Sequence, residues 1–74
     1  MDISDLIKAI RSQLGMSQEA FAEAIHVAFS TVNRWENNKS TPNSMARMFI
    51  ADYCEKNGVD KKLVAAIKKD KGRR

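Results

Sequence analysis

Hydrophobic residues recur at helical spacing along most of this 74-residue chain. Between residues 3 and 14 the apolar positions fall within a stripe roughly 100° wide, as expected for an amphipathic helix with one buried face. Gly15 suits the left-handed residue that often ends a helix. The same spacing predicts five helices, covering about residues 3–14, 17–25, 29–38, 43–56 and 60 onward. The pattern therefore predicts an all-α fold, a compact five-helix bundle.

The third predicted helix has two unlike faces. At about 100° per residue, Ala28, Val32 and Trp35 fall together on one side, which suits a core. Polar residues and one aromatic occupy roughly 140° of the other side. These are Phe29, Ser30, Asn33, Arg34 and Asn37. Most carry hydrogen-bonding groups long enough to reach nucleobase edges, so this face is the candidate DNA contact.

The turn before that helix is locally suboptimal. A glycine often follows a helix at such a turn because the backbone becomes left-handed, and His26 stands there instead. Histidine is one of the residue types enriched at positive φ, so the turn can still form. Ala28 replaces the Ser or Thr expected as N-cap, a difference of about 1 kcal/mol. After the third helix, Asn38 is predicted to take the left-handed position.

The last two predicted helices carry apolar residues whose partners the sequence alone does not identify. The fourth is apolar most of the way round, which predicts burial on more than one side. The fifth is predicted to begin with Asp60 as its N-cap and to carry an apolar face that includes Leu63 and Ile67. Those two residues either form a dimer surface or close the core of the monomer.

Composition narrows the function classes. A chain this short buries only about 60% of the surface of its unfolded form, which leaves no room for an enclosed catalytic cavity. One cysteine, Cys54, and one distant histidine cannot form a disulfide or a zinc site, so no metal, cofactor or enzymatic activity is expected. No apolar run approaches a membrane span and no secretory signal is present, which predicts a cytoplasmic protein. The net charge of +4 is compatible with an anionic partner. We predict a single domain over residues 1–69, followed by a basic tail over residues 70–74.

Two groups of residues at a fixed separation carry a family resemblance. They are Leu14-Gly15-Met16-Ser17-Gln18-Glu19 with Phe21-Ala22-Glu23, and Ser30-Thr31-Val32-Asn33-Arg34-Trp35-Glu36-Asn37 with Pro42. Over about residues 10–53 the chain resembles the lambda-repressor-like, Cro/C1-type (XRE) helix-turn-helix domains. The departures from the family pattern are His26 for glycine and Ala28 for serine.

The resemblance implies that residues 29–37 form a recognition helix that enters the major groove. Gln18 would meet a phosphate and support that helix. Phe29 and Ser30 would lie nearest the bases, with Asn33 and Arg34 one turn later. The implied DNA-contacting residues are Gln18, Phe29, Ser30, Thr31, Asn33, Arg34, Asn37, Asn38, Lys39, Thr41 and Asn43.

Three functions follow from these observations. The first is sequence-specific binding of double-stranded DNA by a small transcriptional regulator, a repressor, acting as a homodimer. The second is an antitoxin with a toxin partner, or an accessory regulator of a phage or mobile element. The third is a protein-interaction adaptor in which Phe29 is an exposed anchor. Phe29 alternatively packs against the second helix, and Glu36 is expected to be a structural anchor.

Overall fold

The chain folds into five α-helices in a computed structural model, which describes residues 2–69. The helices are α1 (Ile3–Leu14), α2 (Gln18–Ala24), α3 (Phe29–Glu36), α4 (Ser44–Lys56) and α5 (Lys61–Lys69). Their order and ends agree closely with the sequence pattern. The predicted all-α, five-helix, lambda-repressor-like fold is therefore confirmed.

Side-chain caps define where most of the helices begin. α1, α2 and α4 are capped by Asp2, Ser17 and Asn43, whose side-chain oxygens each accept a hydrogen bond from the backbone N–H three residues later. Asp60 accepts from the N–H two residues later, at 2.8 Å, and so caps α5 as predicted. α3 lacks such a cap. Ala28 has the backbone geometry of an N-cap, φ −72° and ψ 150°, with no side-chain hydrogen bond.

Each of the four turns between helices contains a left-handed residue, including Gly58 with φ 71° after α4. His26 has φ 65° and Asn38 has φ 60°, which confirms both predictions made for these positions. Gly15, after α1, has φ 67°. In the left-handed region the Cβ atom of a residue crowds its own backbone. Glycine has no Cβ atom, so it would adopt the conformation of His26 at lower cost.

A single hydrophobic core joins all five helices. α3 packs against α1 and α2, while α5 packs against α1 and α4. The buried hydrophobic residues are Leu6, Ile7, Ile10, Phe21, Ala22, Ile25, Val32, Trp35, Ile50, Ala51, Cys54, Val59, Val64 and Ile67. Trp35 is thus a core residue, as its position beside Val32 predicted, and the short helix α3 is held in place by one face.

The prediction that α4 is buried on more than one side is wrong. Only Ile50, Ala51 and Cys54 of this helix are buried. Met45 and Met48 are 67% and 71% exposed. α4 packs against α5, and Met45 and Met48 lie on a face that stays exposed among residues 2–69. Apolar residue types show that a helix can be buried, but they do not supply the partner that buries it.

The surface predicted on α5 also needs correction. Ile67 is fully buried in the core of the monomer, so it is not available to a second chain. Leu63 is half-buried and packs against the same core. The alternative that these residues close the monomer core is therefore confirmed.

No helix within residues 2–69 is long and apolar enough to cross a membrane. The predicted basic tail, 70–74, lies outside the described residues.

Candidate nucleic-acid interface

A buried carboxylate fixes the last turn of α3. Glu36 is only 5% exposed and accepts hydrogen bonds from Arg11, through Nε at 2.6 Å and Nη2 at 2.9 Å. It accepts a third bond from Gln18 Nε2 at 3.0 Å. Ser4 Oγ donates to the backbone carbonyl of Glu36 at 2.7 Å, and Arg11 Nη1 donates to the carbonyl of Met16 at 2.9 Å. The end of α3 is thereby joined to α1 and to the start of α2.

The electrostatics of this site keep both charges in place. Burial is the largest single influence on the pKa of Glu36 and raises it. The hydrogen bonds from Arg11 and Gln18, together with the charges of Arg11 and Lys8, outweigh burial, so the pKa is lowered from its usual value. The hydrogen bond to Glu36 raises the pKa of Arg11. Glu36 is therefore a structural anchor, as expected. Sequence reasoning missed its partner Arg11, which lies outside the apolar stripe of α1 and 25 positions away.

A line of carboxamides leads from this anchor to the outer surface of α3. Gln18 Oε1 accepts a hydrogen bond from Asn33 Nδ2 at 3.1 Å. Asn33 Oδ1 in turn accepts from Asn37 Nδ2 at 3.2 Å, and the same nitrogen donates to the backbone carbonyl of Asn33 at 2.8 Å. We call Gln18, Asn33 and Asn37 the amide chain. Gln18 supports α3 through it, as the family resemblance implied.

The outer face of α3 presents polar groups to solvent. Asn33, Arg34, Asn37 and Lys39 line one shallow surface depression. Ser30, one turn earlier, and Asn38, just after the helix, are also exposed. This face combines cationic and amide hydrogen-bond donors with amide and hydroxyl acceptors, the combination that contacts base edges and phosphates.

A second group of the predicted residues extends from α3 to the start of α4. Thr31, Arg34, Thr41 and Asn43 line a groove between α3 and the start of α4. Arg34 borders both this groove and the depression on α3, so the two groups are continuous. The side-chain oxygen of Asn43 is already engaged in capping α4. The structure thus brings most of the predicted set onto one side of the molecule, with Gln18 half-buried behind it.

Phe29 lies near α2 but is only partly covered. It lines a surface depression together with residues of α2, including Ala22 and Glu23. It nevertheless remains 50% exposed at the start of α3. An aromatic ring in this position can offer one apolar surface outward while the other faces α2.

Comparison with known proteins assigns the class. The helix-turn-helix family profile matches residues 7–46, more than half of the chain. The chain therefore belongs to the helix-turn-helix family, of the Cro/C1 type, which is a family of DNA-binding transcriptional regulators.

A curated relative matches a stretch of similar length. Antitoxin HigA-2 of Vibrio cholerae is 40% identical over 42 residues, which cover 57% of this chain and 40% of the relative. The match thus spans less than half of the relative's length. No solved structure matches the chain.

Proposed function

We propose that this protein binds double-stranded DNA in a sequence-specific manner, as a small repressor, with α3 in the major groove. The observation that carries this proposal is the division of α3 into two faces. Val32, Trp35 and Glu36 are buried on one side, while Ser30 and Arg34 are exposed on the other. A helix held so firmly by one face can present the opposite face to base edges.

Individual roles follow from chemistry and position. Arg34 makes a bidentate contact to guanine, and Asn33 makes one to adenine. Phe29 contacts a thymine methyl group, while Ser30 and Thr31 bond to bases or phosphates near the start of α3. Phosphate contacts fix the register of the helix on the duplex. We assign them to Gln18, Asn37, Asn38, Lys39, Thr41 and Asn43.

Fluorescence anisotropy with a selected site and with random DNA tests the proposal. Arg34→Ala should weaken the selected site by about 1–3 kcal/mol and affect random DNA much less. The control Lys39→Ala removes a phosphate contact and should weaken both similarly. An equal loss on both DNAs from Arg34→Ala would refute base reading by this residue.

Salt distinguishes DNA binding from the adaptor alternative. Several phosphate contacts should reduce affinity by orders of magnitude between roughly 50 and 200 mM salt. No binding of any DNA at low salt would instead favour an adaptor that retains the fold. The family is one of DNA-binding regulators and not of enzymes, and we propose neither a catalytic role nor a cofactor.

We further propose that two copies pair through the exposed face of α4. Met45, Met48 and Phe49 occupy positions i, i+3 and i+4 and are the exposed apolar residues of this helix. An antiparallel pair centred between Met48 and Phe49 places Asp52 of one copy near residue 45 of the other. The first turn of α4 contains no acidic residue. The negative charge of Asp52 from the second copy would therefore be attracted to the positive amino end of this helix.

The small size of this face predicts a weak dimer. A patch of a few hundred Å² per copy is below the roughly 800 Å² per partner of a stable interface, so adjacent half-sites on DNA would complete the association. Sedimentation should show a concentration-dependent dimer that Met48→Lys abolishes, with the exposed Lys62→Ala as control. Monomer at high concentration and on DNA would refute the pairing.

The relative from Vibrio cholerae favours a second candidate, an antitoxin that also represses its own gene. The test is co-expression with the product of the neighbouring gene. Growth arrest by that product alone, with rescue and a stable complex when this chain is added, would support the antitoxin role. Either regulatory role places the protein in the compartment that holds the DNA, the cytoplasm.

A further inference from the structure

The hydrogen bonds between α1 and the surface of α3 run in one direction. Arg11 can only donate, and an ionised Glu36 can only accept. Gln18 must therefore turn its NH₂ group toward Glu36, which it does at 3.0 Å. The side-chain carbonyl oxygen of Gln18 then faces Asn33. It accepts a hydrogen bond from the NH₂ group of Asn33, with 3.1 Å between Oε1 and Nδ2.

The orientation of the Asn33 carboxamide is the end result of this sequence of donors and acceptors. With its nitrogen toward Gln18, its oxygen Oδ1 faces Asn37, which donates to it at 3.2 Å. The two ends of a carboxamide have nearly the same size, so packing alone does not distinguish one orientation from the other. Hydrogen-bond polarity does, and that polarity originates at the buried carboxylate.

We propose that Glu36 sets the base preference of Asn33, through Gln18, by fixing which end of the Asn33 carboxamide donates and which accepts. This inference rests on the proposed function, in which Asn33 reads a base. Glu36 and Gln18 act here as positioning residues, since Glu36 is buried on the inner face of α3.

The consequence for recognition concerns the groups that Asn33 has left over. One N–H of its NH₂ group and one lone pair of its oxygen remain after the internal bonds. Adenine offers a matching acceptor and donor, N7 and the N6 amino group, in a fixed order along the major groove. Reversing the carboxamide exchanges donor and acceptor, and that order no longer matches.

Glu36→Gln isolates the effect because it keeps the shape of the side chain. Arg11 would hold the oxygen of the new amide, so the NH₂ group would face Gln18 and require its carbonyl. Gln18 would then present NH₂ to Asn33, while Asn37 continues to favour the original orientation. Discrimination at the base pair read by Asn33 should fall roughly tenfold, while other positions keep their preferences.

A double-mutant cycle tests whether the effect passes through Gln18. Gln18→Met preserves length and removes hydrogen-bond polarity. Affinities are measured for a selected site and its single-base variants, using wild type, Glu36→Gln, Gln18→Met and the double variant. Each single variant should reduce discrimination at the same position. In the Gln18→Met background, Glu36→Gln should cause no further change at that position.

Several outcomes would overturn the inference. A uniform loss of affinity for all sites in Glu36→Gln would make Glu36 purely structural. A shift that persists in the Gln18→Met background would exclude Gln18 as the intermediary. If Glu36→Gln does not fold, Gln18→Met alone tests the proposal. Unchanged discrimination between bases at every position of the site in Gln18→Met would contradict it.

Asn33→Ala separates this inference from the proposed function. Loss of discrimination at one position in Asn33→Ala, without any loss in Gln18→Met, would refute only the control by Glu36. No loss of discrimination in Asn33→Ala would refute base reading by Asn33 itself.

Discussion

The two ends of the recognition helix α3 are built in opposite ways. At its beginning, Ala28 supplies no side-chain cap and His26 holds the preceding turn in a left-handed conformation. At its end, the side chain of Glu36 accepts three hydrogen bonds from α1 and α2, and its carbonyl accepts one from Ser4. The position of α3 is therefore set mainly from its carboxyl end, by long-range contacts.

This difference indicates how one short helix can be both fixed and accessible. The contacts that hold the carboxyl end are buried or partly buried, so most of their groups are not available to an outside partner. The amino end leaves Phe29 and Ser30 exposed, where a recognition helix approaches the bases. The comparison predicts large losses of stability from changes at the anchored end and modest gains from changes at the uncapped end.

The largest effect is expected for Glu36→Ala. Removing this carboxylate leaves the Arg11 guanidinium partly buried without its charge partner, which should cost about 3–5 kcal/mol of unfolding free energy. Urea denaturation measures the loss. Glu55→Ala is the matched control, because it breaks an exposed ion pair with Lys68 and should cost only about 0.2–1 kcal/mol. Similar losses in both variants would contradict the anchoring role.

A smaller loss is expected in acid. The folded protein lowers the pKa of Glu36, so its pairing contributes stability above the unfolded-state pKa, about 4.3, and loses it as the pH falls through the folded value. Denaturation at pH 7 and pH 3 should show a larger loss for wild type than for Glu36→Gln. An identical pH dependence in the two proteins would show that Glu36 is not the group responsible.

At the other end of α3, Ala28→Ser should stabilise the protein by about 1 kcal/mol. Its backbone already has N-cap geometry, and a serine oxygen there could accept from the N–H three residues later. Ser17→Ala, at the N-cap of α2, is the reciprocal control and should lose a similar amount, because Ser17 Oγ accepts from Ala20 N at 3.0 Å. No change in thermal stability for Ala28→Ser would mean that the start of α3 is not limited by its cap.

A smaller gain is expected for His26→Gly. Glycine relieves the cost of φ 65°, but the variant loses the edge contact between the His26 ring and Phe49, whose ring centroids are 6.2 Å apart. The net gain should be about 1 kcal/mol or less. Asn38→Gly should gain still less, because asparagine tolerates the left-handed region better. A loss of stability in His26→Gly would show that the ring contact outweighs the backbone strain.

Local chemistry accounts for what the sequence predicted correctly. Ser17 and Asp60 are caps because their side chains bond to backbone groups within three positions, and His26 and Asn38 turn left-handed because the helices end there. The inward face of α3 follows from helical periodicity. Such features need no knowledge of where distant segments lie.

Long-range contacts account for what the sequence did not predict. Arg11 and Glu36 are 25 positions apart, and nothing in the spacing of either helix pairs them. The apolar pattern of α4 predicts burial of Met48, yet Met48 is exposed because no helix of the described residues 2–69 lies over it. Ile67 was a candidate for a dimer contact, and only the packing of α5 against α1 and α4 shows that the core contains it.

The most direct test of the account is the selection of bound sites from random double-stranded DNA, run in parallel with wild type and Arg34→Ala. The predicted result is a two-fold motif with half-sites about one helical turn apart, from which Arg34→Ala loses a single guanine preference in each half. An identical motif for both proteins would contradict base reading by the outer face of α3. A failure of wild type to enrich any sequence would contradict specific DNA recognition itself.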